Sequence, residues 1–218
     1  MSYKAFVFDA YGTLFDVHSV AEGLHNQFPE KGDHISQAWR SNQVHYFMVR
    51  QLIGGYVPFN KVTSWALHDA LIKNGISPDQ GTIASLMEEY EKLSPYEEVH
   101  SLKENYPHLE LTIFSNGTRS MLKPLLINNN LSRSFTLLSA DDVRVYKPQP
   151  AAYEYAASQL NVNKDEVLFF SSNPWDIAGA GQYGFHTAWV NREKQAWPSI
   201  GLEPDYILQN LKEIPGQH

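Results

Sequence analysis

Five short apolar runs, each breaking off into small and polar residues, set the limits on what this chain can form. Residues 3–9 are nearly continuously apolar, end in Asp9 and are soon followed by Gly12. A run of that kind suits a strand buried on both faces of a parallel sheet. Residues 109–114 precede SNGT, 135–138 precede SADD, 167–170 precede SSNPWD and 186–190 precede NRE. Helices are expected between them at about 119–129, 151–159 and 175–184, so strands and helices alternate as in an open α/β sheet. In such sheets ligands bind beyond the carboxyl ends of the strands.

Residues 16–95 break the alternation. Apolar residues recur there at three- and four-residue spacing, as in Trp39, Val44 and Phe47 and later Trp65, Leu67 and Leu71, which reads as consecutive helices inserted after the first strand. Asn74-Gly75 and Ser77-Pro78 supply internal helix stops. The expected division is therefore a core of residues 1–15 and 96–218 and a helical insertion of residues 16–95.

Composition narrows the chemistry. With 17 Lys and Arg against 24 Asp and Glu, a net charge of −7 and no basic block, neither nucleic acid nor an anionic membrane surface is expected as partner. An anionic ligand must be held by a few well-placed cations. The absence of cysteine removes disulfides, thiolate metal sites and a thiol nucleophile, leaving carboxylate, hydroxyl, histidine or lysine chemistry. The nine histidines include no HExxH pair. No stretch approaches the roughly 18 apolar residues of a membrane span, and MSYKAFVFDAYG has no basic region before a long apolar run. A soluble cytoplasmic protein is the simplest expectation.

The strand ends carry different chemical groups that the topology would bring to one rim. Asp9 ends the first run, Ser115 and Asn116 follow the second, Lys147 follows the third, and Ser171, Asn173 and Asp176 follow the fourth. Taken singly, each has an ordinary explanation as a helix cap, a turn residue or a solvated charge. Gathered at one rim, they favour a site.

FDAYGTLFD, FSNGT, VYKP and FFSSNPWD, in that order and spacing, resemble the four motifs of the haloacid dehalogenase superfamily and, more narrowly, the type II L-2-haloacid dehalogenases. The resemblance covers essentially the whole chain, including AWRSNQ in the helical insertion. It implies a Rossmann-like parallel sheet core with an inserted helical cap subdomain. Phosphatases of the superfamily carry a second aspartate two positions after the first, where this chain has Tyr11, and adjacent acids in the fourth motif, where it has Ser171, Ser172, Asn173 and Pro174 before Asp176. A hard divalent cation wants several oxygen ligands, carboxylates among them, so no metal and no cofactor is expected.

The resemblance also implies a reaction. The Asp9 carboxylate attacks C2 of a 2-haloalkanoate opposite the halogen, giving an ester and free halide. Lys147 pairs with Asp9 and favours its ionised form. Ser115 and the backbone N–H groups from Ala10 onward hold the substrate carboxylate, while Arg40, assisted by Asn116, reaches over the rim to the halide. Thr13, Tyr153, Ser171 and Asn173 orient the carboxylate and its partners. Asp176 activates a water that attacks the Asp9 carbonyl carbon, so the single inversion at C2 stands and an L-haloacid gives a D-2-hydroxy acid. Tyr11, Val44, Phe59 and Trp175 wall the substrate chain. Ser41 stands where the family commonly has glutamine and Val44 where leucine is common, changes that imply room for longer or bulkier 2-haloacids. Pairing of two copies is common in the family.

Two other readings remain open on the sequence. A metal-dependent phosphohydrolase on the same scaffold is opposed by Tyr11. A non-catalytic scaffold or dimerisation module would dispense with the nucleophile or its lysine, and this chain retains Asp9 and Lys147.

Overall fold

β1 (Ala5–Phe8) runs through the middle of a six-stranded sheet in which every pairing is parallel. A computed structural model describes residues 3–212 and 214–215. The sheet order is β3 (Thr136–Ser139), β2 (Glu110–Ser115), β1, β4 (Val167–Ser171), β5 (His186–Val190) and β6 (Tyr206–Leu208). The five expected strands are present. β6 was not anticipated, because its three residues, Tyr-Ile-Leu, form too short a run to stand out.

All four residues of β1 are fully buried, and their alternation divides the core in two. Phe6 and Phe8 pack on one face with Leu102 and with Met121, Leu122 and Leu125 of α6 (Arg119–Asn128). Ala5 and Val7 face Ala152 and Ala156 of α7 (Pro150–Leu160) and Ile177 and Ala180 of α8 (Pro174–Tyr183). Proline begins both α7 and α8, where a missing N–H costs nothing. Asn161 and Gly184 end them in left-handed conformation.

Between β1 and β2 the chain builds α1 (His18–Gln27), α2 (Gly32–Leu52), α3 (Phe59–Lys73) and α4 (Gln80–Glu89), with the short α5 (Leu102–Asn105) leading back to the sheet. In α3 the buried stripe is Phe59, Val62, Thr63, Ala66, Leu67, Ala70 and Leu71. Trp65, read in sequence as part of the apolar spacing, is 46% exposed, because it lies two positions from Leu67 and so on another face of the helix. Asp79 caps α4 by accepting from Thr82 N at 2.7 Å. The chain enters and leaves this helical segment side by side: Asp16 N donates to Ser94 O and Tyr96 N to Leu14 O, at 2.8 and 2.9 Å. No helix among the described residues is long and apolar enough to cross a membrane.

The register sets the rim. Phe8 pairs with Ile113 and with Phe170, so Asp9, Phe114 and Ser171 follow at one level on neighbouring strands.

Candidate active site

Asp9 is positioned by the sheet and by the tight turn that follows it. Its N–H donates to Phe170 O at 2.8 Å, and the Ala10 carbonyl then accepts from Leu14 N and Phe15 N at 2.9 and 3.0 Å. Gly12 has φ +80°, a conformation that glycine adopts at no steric cost, and a Cβ there would stand 3.0 Å from Ser172 Oγ. The turn brings the Thr13 hydroxyl 3.3 Å from Asp9 Oδ2, and that hydroxyl accepts from Ser172 N at 2.9 Å.

Lys147 is fully buried and spends each of its three protons. Nζ donates to Asp9 Oδ1 at 3.0 Å, to Asp176 Oδ2 at 2.6 Å and to Phe114 O at 3.0 Å. Burying an ammonium costs several kcal/mol unless it is paired and fully hydrogen-bonded, a condition met here. Burial alone would lower the lysine pKa, but Asp176 and Asp9 outweigh it and the pKa is raised. Its main chain is clamped by Asn116, whose Oδ1 accepts from Lys147 N at 2.8 Å and whose Nδ2 donates to Lys147 O at 3.2 Å.

Asp176, in the first turn of α8, is also fully buried. Tyr153 Oη donates to its Oδ1 at 2.7 Å. Burial pushes its pKa up, the Lys147 charge opposes this, and the nearby Asp9 carboxylate adds to the rise, so that Asp176 titrates at about 6. Two carboxylates thus share one buried cation, and the deeper one has its pKa raised.

Asn173 joins this group to the helical segment. Its Nδ2 donates to Asp9 Oδ2 at 3.0 Å, while its Oδ1 accepts from Arg40 Nη2 of α2 at 2.9 Å. Its own N–H donates to Ser171 Oγ at 3.1 Å. The arrangement therefore holds a nearly buried carboxylate, a second carboxylate able to accept a proton, and a guanidinium within one connected network.

Asp9, Thr13, Arg40, Lys147, Tyr153, Ser171, Asn173 and Asp176 are brought together, with Asn116 attached through the backbone of Lys147. Ser115 is buried beside them, its Oγ accepting from Gly117 N at 3.1 Å. The aromatic residues also converge. Tyr11 stacks on Phe59 with centroids 6.3 Å apart, and Phe47 bridges Phe59 and Trp175 at 6.0 and 5.3 Å. Val44 is half-buried against the same core. Ser41 is exposed, and no hydrogen bond among the described residues joins it to the cluster. A cavity of about 540 Å³ opens beside the group, with Tyr11, Gly12, Arg40, Asn173, Trp189 and Arg192 in its wall. Among the described residues no group of three or more His, Cys, Asp or Glu could hold a metal ion.

Sequence reasoning passed over several participants. Gln43 accepts from Arg40 Nη1 at 2.7 Å, and its place three residues along the same helix was a usable signal. Gly117 lies against Tyr11, and a Cβ there would meet the ring at 2.9 Å. Arg192 donates to Thr13 O at 3.0 Å and to Glu98 Oε1 at 2.7 Å, bracing the turn after Asp9 from the end of β5. No local pattern announces that pairing across the sheet.

The chain matches the haloacid dehalogenase-like hydrolase family over residues 3–184. It is 40% identical over 215 residues to (S)-2-haloacid dehalogenase 2 of Pseudomonas sp. (strain CBS-3), covering 97% of this chain and 94% of that protein. It is 37% identical over 214 residues to haloacetate dehalogenase H-2 of Moraxella sp. (strain B), covering 97% and 96%. The structure of L-2-haloacid dehalogenase from Xanthobacter autotrophicus with chloropropionic acid covalently bound superimposes with a TM-score of 0.91 at 35% identity, over 95% of each chain. With its Asp9 turn, shared lysine and second carboxylate on one strand rim, this chain belongs to the haloacid dehalogenase-like hydrolases.

Proposed function

We propose that this chain hydrolyses L-2-haloalkanoates to D-2-hydroxyalkanoates and halide through an ester on Asp9. The observation that carries the reading is the Lys147 ammonium held between the two carboxylates, 3.0 Å from Asp9 and 2.6 Å from Asp176, in a site that also presents Arg40. An Asp9 oxygen forms a bond to C2 as the carbon–halogen bond breaks, and the halide leaves with the bonding pair. A halide needs no proton, only positive charge and hydrogen-bond donors, the part taken by Arg40 with Asn116. Ser115 and the N–H groups from Ala10 onward take the substrate carboxylate. Tyr11, Val44, Phe59 and Trp175 line its chain, and exposed Ser41 leaves room at the entrance.

Water then attacks the Asp9 carbonyl carbon and passes a proton to Asp176. The tetrahedral intermediate expels the hydroxy-acid oxygen, which takes that proton back, and Asp9, left carrying the second proton of the water, releases it to solvent to restore its carboxylate. Lys147 and Tyr153 keep Asp176 in place, while Thr13, Ser171 and Asn173 keep Asp9 in place. The named activities of the relatives, and the covalently bound chloropropionic acid of the Xanthobacter autotrophicus enzyme, support this reading.

In the same reading residues 16–95 form a cap over a core of residues 1–15 and 96–218, a division supported by the paired crossings at Asp16–Ser94 and Leu14–Tyr96. Two copies pair through the cap, covering Leu52 and Ile53, which are 80% and 65% exposed at the end of α2. A sedimentation coefficient of a monomer would contradict the pairing. A cytoplasmic enzyme acting on dissolved 2-haloacids is the setting implied, and activity confined to the membrane fraction of a lysate would contradict it.

The deciding experiment is halide release from separate L- and D-2-chloropropionate in EDTA, beside a magnesium-supplemented phosphatase assay. Release from the L form alone is expected. Phosphate hydrolysis with no halide from either form would overturn the proposal and restore the phosphohydrolase reading.

A further inference from the structure

Arg40 is held by two neutral oxygens. Nη1 donates to Gln43 Oε1 at 2.7 Å and Nη2 to Asn173 Oδ1 at 2.9 Å, and among the described residues no carboxylate forms an ion pair with it. Its orientation is fixed by neutral groups, and the Asp9 carboxylate is reached only through the Asn173 amide. The side of the grip within the helical segment runs deeper. Gln43 is fully buried and its Nε2 donates to Thr63 Oγ1 at 2.8 Å. Thr63, fully buried in the neighbouring helix, donates its hydroxyl proton to Phe59 O at 2.7 Å.

The order of these bonds dictates which end of the Gln43 amide faces Arg40. The Phe59 carbonyl can only accept, so the single proton of Thr63 is committed to it and only lone pairs face Gln43. Gln43 must therefore turn its NH2 group toward Thr63, which leaves its oxygen for the guanidinium. The Trp39 indole, donating to Thr63 O at 2.8 Å, fastens the same turn of α3 to α2. A glutamate at position 43 would have the same size but would place a negative charge on Arg40.

We propose that Gln43 and Thr63 are positioning residues for an anion site at Arg40, the relay from the Phe59 carbonyl through Thr63 and Gln43 fixing the guanidinium without neutralising it. The proposal deepens the dehalogenase reading, in which that anion is the departing halide, and rests on it for the identity of the anion. Thr63→Val keeps the volume and removes the Thr63 acceptor, loosening the hold on the Gln43 amide, which keeps Tyr90 as a partner. Thr63→Ser keeps the hydroxyl. Gln43→Glu keeps the shape and adds the charge.

The test is bromide binding to the full-length protein, followed by tryptophan fluorescence, together with kcat and KM on L-2-chloropropionate and L-2-iodopropionate. Thr63→Val is expected to weaken bromide binding about tenfold and Gln43→Glu by more, as the loss of an oriented charge-assisted hydrogen bond predicts. Thr63→Ser is expected to restore binding. The kcat on the chloro acid should fall further than on the iodo acid, since iodide leaves more readily, with KM changed less than kcat.

Undiminished bromide binding in Thr63→Val and Gln43→Glu would overturn the relay. So would Thr63→Ser behaving like Thr63→Val, an equal loss on both leaving groups, or a wild-type protein that binds no bromide. A wild-type protein that binds bromide but releases no halide from any 2-haloacid would overturn the dehalogenase reading instead, and the bromide affinities of the variants would still decide the relay.

Discussion

The Lys147 ammonium lies 2.6 Å from the Asp176 carboxylate, and both groups are fully buried. That pair is not self-contained, because the same nitrogen also serves Asp9 at 3.0 Å. One cation therefore holds two carboxylates in a place where water does little to separate like charges. The lysine does two things at once: it fixes the Asp9 carboxylate by a hydrogen bond and its charge opposes the burial that raises the Asp176 pKa.

Replacing Lys147 with methionine, which preserves much of its volume, leaves two buried carboxylates without their cation. Removing one partner of a buried ion pair typically costs about 3–5 kcal/mol. The variant should lose about that much stability at pH 8 in urea unfolding and less near pH 5, where one carboxylate is protonated. Halide release should fall on the order of a thousandfold at pH 8. Stability unchanged at pH 8 would show that the carboxylates find other support.

The pH dependence follows from Asp176. Burial raises its pKa above that of the unfolded chain, to about 6, so the folded protein binds this proton more tightly. Its contribution to stability is complete below the unfolded value and is lost as pH rises from about 4 through about 6. Activity should run the other way, because in the proposed reaction the carboxylate is the form that accepts a proton from water. Hydrolysis of the Asp9 ester, followed in quenched single turnovers, should show an acid limb of about tenfold per pH unit that lies below 6, since the ester removes the Asp9 charge that helps raise the Asp176 pKa. The first burst of halide should not share that limb. A burst with the same acid limb would move the titration onto the nucleophile.

Tyr153 tunes that limb. Its hydroxyl donates to Asp176 Oδ1 at 2.7 Å, and this bond holds the carboxylate pKa below where burial alone would set it. Tyr153→Phe should slow ester hydrolysis about tenfold at pH 6, the worth of one hydrogen bond to a charged group, and approach the wild-type rate at pH 8.5. An equal loss at both pH values would mean that the tyrosine acts by holding Asp176 in place and not through its charge.

Much of this arrangement was legible before any coordinates, for a topological reason. Parallel strands carry their carboxyl ends to one edge, so a residue just past each apolar run is placed by the run itself. That logic located Asp9, Ser115, Asn116, Asn173 and Asp176, and the first three expected helices fell within a residue of where α6, α7 and α8 lie. Residues outside that logic were harder to see. Gln43 and Thr63 act from inside α2 and α3, where a buried polar side chain looks in sequence like a break in an apolar stripe. The Arg192–Glu98 pair closes across 94 positions of sequence, and only the fold brings Arg192 to Thr13. Tyr11 was read as apolar wall, yet its phenol oxygen is buried without a hydrogen-bond partner among the described residues, and burial holds its pKa well above the ordinary tyrosine value. The pattern gives a side chain's position along the chain, not which of its atoms is satisfied.

The two carboxylates can be separated by stopping the reaction between them. Asp176 accepts from Lys147 and Tyr153, so Asp176→Asn removes a charge from the cluster and leaves Asp9 with the lysine to itself. Attack on C2 should survive, while attack on the ester by water should not. The variant mixed with L-2-chloropropionate should release about one halide per chain and then stop. Its intact mass should rise by that of a 1-carboxyethyl group, with the added mass on the peptide that contains Asp9. In wild-type protein turning over in oxygen-18 water with enzyme in excess, the label should enter the Asp9 carboxylate, since water attacks its carbonyl carbon. Label found only in the hydroxy acid would mean that water attacks C2 directly, and Asp9 would then be a base and not a nucleophile. Asp9→Asn distinguishes the same alternatives from the other side: it should release no halide at all, whereas Asp176→Asn should still give its single burst.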